Sequence, residues 1–272
     1  MNDKINASRF LGFAGLYENV RPSVPAAACG ILVDYFGKKP STTVDLGCGT
    51  GLSTIVWKDK SERIIGIEPS DDMLATARHK EAENISFIQA FSDHTTLPED
   101  TADIVVCSQS FHWMEPQSTL AEVNRILKPG GVFATIDCDW PPVCDWRAES
   151  AYCELMSKVH HIESEHARIR ESFHRWDKNE HLSNIKNSGY FRYCREIVFL
   201  NQEKGDANRF IGLALSQGGL QTILKTQPSQ MCIRDRPNRR RSRRASQLHS
   251  RRSAAISDFI HFIRMLSILQ QQ

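Results

Sequence analysis

No Cys-x-x-Cys pair occurs among the eight cysteines, Cys29, Cys48, Cys107, Cys138, Cys144, Cys153, Cys194 and Cys232. That absence argues against a zinc site or a disulfide framework, and it fits a reducing, cytoplasmic setting. No run of about 18 apolar residues is present, so no transmembrane helix is expected. The opening residues Met1-Asn2-Asp3-Lys4 lack the apolar stretch of a secretory signal. The dinucleotide spacing G-x-G-x-x-G is also missing, which disfavours a nicotinamide-dependent oxidoreductase.

What is present is enough apolar material for a sizeable core, 40% of 272 residues, with 24% charged. The net charge of +2 is unevenly placed. Residues 237–272 hold eight arginines, no lysine and one acid, Asp258, a net +7, which leaves −5 for the rest. A mildly acidic body does not suggest a nucleic-acid partner.

Residues 42–136 alternate short β-branched apolar runs with helical segments. Strands are expected at 42–46, 63–67, 85–88, 102–107 and 132–136, with helices at 52–58, 71–80 and 118–127. Continuous apolar runs suit strands buried on both faces, and βαβ alternation implies a mostly parallel, doubly wound sheet of Rossmann-like α/β class. A sixth strand is expected at 196–200 and a helix over 207–226. The charged, His-containing stretch at 140–190 reads as a helical insertion or cap after strand five. Ligands in such sheets sit beyond the carboxyl ends of the strands.

The strongest motif is Val44-Asp45-Leu46-Gly47-Cys48-Gly49-Thr50-Gly51, which follows a strand and opens a helix. Glycines at alternate positions let the backbone approach a ligand closely. Asp45, two residues before the first glycine, suits a ligand with a cationic amino group. Glu68 ends the second strand about 20 residues on, where a carboxylate can accept from both ribose hydroxyls.

These residues resemble the class I S-adenosylmethionine-dependent methyltransferases, in particular the small-molecule branch of the methyltransferase type 11 kind. Asp71-Asp72-Met73, Ser110-Phe111-His112-Trp113-Met114-Glu115-Pro116 and Leu127-Lys128-Pro129-Gly130-Gly131 extend the likeness, which covers roughly residues 10–227. The resemblance implies S-adenosyl-L-methionine as cofactor and methyl transfer to a small-molecule acceptor. It places Asp45, Gly47, Gly49 and Gly51 around the methionine portion and Glu68 on the ribose. Pro69 and Met73 fall against the adenine, Ser92 and Asp93 at its edge, and Ser108 and Gln109 near the sulfonium. The adenine-edge segment reads Ala90-Phe91-Ser92 where Gly-Asp-Ala is common.

His112 is the candidate catalytic base, with Trp113 offering a cation–π face. Tyr17, Arg21 and Trp140 are candidate substrate contacts, and Tyr17 or Arg21 suits an anionic substrate. His160, His161, Glu163, Glu165 and His166 lack the spacing of a helical zinc site, so no metal is expected. A nucleic-acid methyltransferase is disfavoured by the acidic body and by the lack of an Asn/Asp-Pro-Pro-Tyr-like motif after strand four.

Residues 228–272 break the likeness. Met231-Cys232-Ile233-Arg234-Asp235-Arg236 looks like a translated sequencing adapter, and Arg/Ser-rich sequence follows. The domain is therefore expected to run over 1–227, with a non-native tail and the last antiparallel strand of the sheet missing. On that expectation the alternative to an active enzyme is a truncated product that binds cofactor without turnover.

Overall fold

The computed structural model describes residues 12, 14–171, 173–226 and 258–270. Its centre is one seven-stranded sheet. The strands are β1 (Thr42–Leu46), β2 (Arg63–Ile67), β3 (Ile85–Ile88), β4 (Ala102–Ser108), β5 (Leu127–Cys138), β6 (Phe191–Lys204) and β7 (Asp258–Gln270), in the order β3-β2-β1-β4-β5-β7-β6. Strands β3 to β5 pair in parallel, and β7 runs antiparallel between β5 and β6. The α/β, Rossmann-like, mostly parallel expectation holds.

Side-chain alternation along the central strands divides the core in two. Ile64, Ile104 and Val132 face Ala28, Cys29 and Leu32 of α2 (Ala26–Phe36) and Leu74 and Ala77 of α3 (Asp71–Arg78). Their neighbours Ile65, Val105 and Phe133 face Leu120, Val123 and Ile126 of α4 (Pro116–Ile126). Both faces of the strands are thus covered, which is why they read as unbroken apolar runs. The bottom of the sheet is pinned by Asp103. Its carboxylate accepts from the Ser41 and Thr42 backbone N–H groups at 2.7 and 2.8 Å and from Lys128 Nζ at 3.0 Å.

Between β5 and β6 the expected insertion is helical. It comprises α5 (Trp146–Glu165), α6 (Ala167–Arg170), a 3-10 turn (Lys178–Glu180) and α7 (His181–Asn187). The remaining helices are α1 (Ala14–Val20), α8 (Ala207–Leu215) and α9 (Gly218–Thr226). α1, α5 and α8 share an apolar cluster built on Val20, Tyr152, Phe210, Leu213 and Phe259.

Three expectations need correction. The helix at 52–58 is only a 3-10 turn, Thr54–Trp57; the run Thr54-Ile55-Val56 is β-branched, which disfavours a continued α-helix. The helix at 207–226 is broken at Ser216 and Gln217 into α8 and α9. Most consequentially, the last antiparallel strand is present. Phe259, His261, Ile263 and Met265 are buried at every second position of β7, the alternation a sheet requires. The hexapeptide 231–236 lies outside the described residues.

Candidate active site

The ends of β1, β2, β4 and β5 open onto a cavity of about 670 Å³, roofed by α1, the insertion and the start of α9. Its floor is the glycine loop after β1. Gly47 has φ of +65°, and a Cβ there would stand 2.6 Å from Met114 Cε and 2.7 Å from Ser110 Cβ, so no side chain fits. Ser110 is itself tied to β1, its hydroxyl donating to the Leu46 carbonyl at 2.7 Å. Gly49 has φ of +56° and open space above it, and it lines the cavity.

Glu68 joins this loop to β2. One carboxylate oxygen accepts from the Gly49 N–H and the other from the Ser70 N–H, both at 2.9 Å. Burial pushes the Glu68 carboxyl up to about 7 despite those two N–H donors, and Asp45 adds a smaller push in the same direction. Each oxygen has a lone pair left, and the residue lines the cavity, so the ribose assignment fits its chemistry.

Asp45 lies on β1, two residues before Gly47. It is fully buried beneath the loop and is not among the cavity-lining residues. Its Oδ2 accepts from the hydroxyls of Ser53 at 2.5 Å and Thr54 at 2.7 Å, while Oδ1 has no hydrogen-bond partner. Burial raises this carboxyl to about 6. Asp45 therefore orders the turn that follows the glycines. Gly51 and Asp93 likewise fall outside the lining. Gly47, Gly49, Glu68, Pro69, Met73, Ser92, Ser108 and Gln109 are all in it, as are Tyr17, Arg21, His112, Trp113 and Trp140.

The N-terminal segment is fastened over the loop. Lys80 donates to the Thr50 carbonyl at 2.8 Å and reaches Glu18 of α1 at 3.0 Å, tying α1, α3 and the glycine turn together. Arg21 follows α1. Its Nε and Nη2 donate to the Ser216 hydroxyl and carbonyl, each at 2.9 Å, and its guanidinium lies 4.9 Å from the Tyr17 ring and 4.8 Å from that of Trp140.

At the far end β4 and β5 meet the insertion. Gln109 adopts φ of +55°, a conformation that costs energy for a non-glycine residue and often marks a functional turn. Its side-chain oxygen accepts from Lys178 Nζ at 3.1 Å. Lys178 Nζ also lies 2.6 Å from Asp137 Oδ1, and His112 Nδ1 lies 3.8 Å from that same oxygen. The Trp176 N–H donates to the His112 carbonyl at 3.0 Å, so the insertion is docked directly on the His112 turn. Burial, then Lys178, His181, Arg175 and Arg21, hold the His112 imidazole well below its usual range, which keeps it neutral.

Asp137, Arg175, Trp176 and Lys178 were not singled out from sequence. Asp137 was legible only as the residue that follows the expected fifth strand, 132–136. The other three lie in the insertion, whose charge pattern carries no motif. Of the histidine-rich stretch, His160 and Glu163 line the cavity, whereas His161 and Glu165 are exposed on α5. Among the described residues no group of three or more His, Cys, Asp or Glu is placed to hold a metal ion. No described helix is long and apolar enough to cross a membrane.

Comparison with known proteins agrees with this geometry. A family model described as "Methyltransferase domain" matches residues 44–135, the stretch from β1 to β5. The probable S-adenosylmethionine-dependent methyltransferase CRG1 of Saccharomyces cerevisiae is 32% identical over 124 residues, 43% of each chain. An uncharacterized methyltransferase-like protein of Schizosaccharomyces pombe is 26% identical over 196 residues, covering 71% of this chain and 72% of its own. The match thus spans under half the length of CRG1. Among solved structures, a candidate type II methyltransferase from Anaeromyxobacter dehalogenans superposes with a TM-score of 0.62 at 16% identity, covering 92% of this chain and 97% of that one. The YcgJ protein of Bacillus subtilis gives 0.54 at 14% identity, over 91% and 100%. The domain model matches the β1–β5 core, these relatives match in sequence and these structures match in fold, so residues 44–135 carry a methyltransferase domain similar to those of S-adenosylmethionine-dependent methyltransferases.

Proposed function

We propose that the protein transfers the methyl group of S-adenosylmethionine to a small-molecule acceptor. The observation that carries this reading is Glu68, a buried cavity-lining carboxylate hydrogen-bonded to the N–H of Gly49 in the glycine loop. When bound, S-adenosylmethionine supplies a methyl on a positively charged sulfur, already activated toward nucleophiles. The chain's task is then alignment, which in favourable cases accounts for about 7–11 kcal/mol of a barrier.

The assignments are as follows in structural terms. Glu68 receives the ribose hydroxyls; Pro69, Met73 and Ser92 bound the adenine pocket; Gly47 and Gly49 present backbone to the methionine portion. Asp45 acts through the turn it holds, and Gly51 and Asp93 are set behind the contact surface. Ser108 brings a buried hydroxyl with no hydrogen-bond partner to the same wall, beside Gln109. Tyr17, Arg21, Trp113 and Trp140 face the acceptor. His112 has an unpartnered Nδ1 and is held neutral, so it serves to orient the acceptor rather than as a strong base.

Calorimetric titration with S-adenosylhomocysteine tests the reading. The full chain is expected to bind one equivalent, and Glu68→Ala to weaken binding by about 2 kcal/mol or more, through loss of charge-assisted hydrogen bonds. Absence of binding to the folded wild-type chain would reject the proposal.

A further inference from the structure

The cavity has a second set of charged residues besides the glycine loop and Glu68. Arg21, Arg175 and Lys178 all line it, and all three act electrostatically on the one buried imidazole of His112. They come from two separate parts of the chain, the exit of α1 and the insertion, so their convergence is a product of the fold.

Acidic residues line this end too, and each is already engaged. Asp137 is paired with Lys178 at 2.6 Å. Asp177 caps the 178–180 turn, its side chain accepting from the Asn179 N–H at 2.9 Å. Glu163 is buried under Gly219, where a Cβ would stand 2.5 Å from Glu163 Oε1. Among the described residues no ion pair joins Asp137 or Asp177 to either guanidinium. Arg21 is fixed by neutral acceptors, the Ser216 hydroxyl and carbonyl, and by two aromatic faces. Its Nη1 has no hydrogen-bond partner among the described residues. Arg175 makes no ion pair or hydrogen bond among the described residues. Two guanidiniums with no directly paired carboxylate among the described residues leave positive charge available in a partly enclosed cavity.

Rigid placement matters as much as charge. Arg21 is held on both sides, and Lys178 is held by Gln109 and Asp137, so little side-chain freedom remains to be lost on binding. A guanidinium fork matches the planar geometry of an oxyanion. Trp113, Trp140 and Trp176 line the same end and offer flat apolar surface to an organic body.

We propose that Arg21, Arg175 and Lys178 form an oxyanion subsite, and that the acceptor is a small molecule bearing a carboxylate or phosphate group. This rests on the methyl-transfer reading for the word acceptor, while the subsite itself is a property of the cavity. It extends the sequence-based suggestion for Arg21 to two insertion residues and gives the insertion a role in substrate choice.

The test is calorimetric titration of the full chain, with and without saturating S-adenosylhomocysteine. The ligands are tricarballylate, its neutral trimethyl ester and glycerol 1-phosphate. At least one of the two anions is expected to bind about tenfold or more tighter than the ester, with affinity falling as salt is raised. Preference for tricarballylate identifies a carboxylate subsite; preference for glycerol 1-phosphate identifies a phosphate subsite. Arg175→Gln removes an exposed side chain with no described partner, so folding is unaffected. It is expected to weaken the anion by about fivefold or more while S-adenosylhomocysteine affinity stays within about twofold. Ester binding as tight as the acid, anion binding indifferent to Arg175→Gln, or no anion binding in either form overturns the subsite. Loss of S-adenosylhomocysteine binding alone overturns the methyl-transfer reading and leaves the anion result standing.

Discussion

Glu68 is a carboxylate with two backbone donors and, among the described residues, no ion-pair partner, and the consequence is a proton equilibrium unlike that of a surface acid. Burial lifts its folded pKa to about 7 from an ordinary 4.5. Between those values the folded chain holds a proton that the unfolded chain releases. The stability this contributes is complete below about pH 4.5 and is lost as pH rises through 7, amounting to roughly 3 kcal/mol for a shift of this size. Glu68→Gln cannot titrate. Urea unfolding of both proteins at pH 4.5, 6 and 8 is therefore expected to show the wild type losing about 3 kcal/mol relative to the variant across the series. A constant difference would mean that Glu68 is charged throughout. Measuring the variant against wild type also cancels His112, His181 and His261. Their lowered pKa values act in the opposite sense, costing stability as pH falls below 6.5.

Turns, rather than whole helices or strands, decide whether the cofactor end exists. The glycine loop was readable because it carries its own chemistry: only glycine tolerates the +65° of residue 47 with Ser110 packed against it. Gly47→Ala places a methyl 2.7 Å from Ser110 Cβ, and Ser110 is held by its bond to Leu46, so the loop must move. The expected outcome is a stability loss of about 1–3 kcal/mol by urea unfolding. S-adenosylhomocysteine affinity is expected to fall about tenfold or more, with unchanged far-UV circular dichroism. Unaltered affinity would show that the loop does not contact the cofactor. The position of Asp45 was not readable in the same way. The acid two residues before Gly47 was visible, but Ser53 and Thr54 are equally ordinary residues, and only the fold shows that they take up one of its oxygens. The acceptor end was the least legible. Lys178, Arg175 and Asp137 come together across a long stretch of chain, and no short spacing encodes that meeting.

For the molecule as a whole, the parallel half of the sheet and the middle of β6 were legible, and the antiparallel strand β7 between β5 and β6 was not. Strands β1 to β5 are uninterrupted apolar runs set between helices, so pattern alone located them. β7 follows an Arg/Ser-rich stretch and interleaves His261 and Arg264 with its apolar residues, which conceals a strict alternation in which Phe259, His261, Ile263 and Met265 point inward. Its place in the sheet makes it indispensable. It pairs with β5 from Cys138 to Val132 and with β6 along nearly its full length. Without it β6 loses its partner strand, and Phe259 leaves the cluster that joins α1, α5 and α8. Four apolar side chains, Phe259, Ile263, Met265 and Leu266, are buried by this strand. At about 1.5–3 kcal/mol each, their loss is comparable with the entire net stability of an ordinary domain. A chain ending at Thr226 is therefore expected to lose cooperative thermal unfolding and to fail to bind S-adenosylhomocysteine, although the glycine loop, Glu68 and the β1–β5 core are all retained. Doubling Ile263→Ala with Met265→Ala in the full chain should give an intermediate effect, about 4–10 kcal/mol if the strand packs as described. Should the chain ending at Thr226 unfold as cooperatively as the full one, β7 would be an appendage, and the sheet would be complete at its parallel edge.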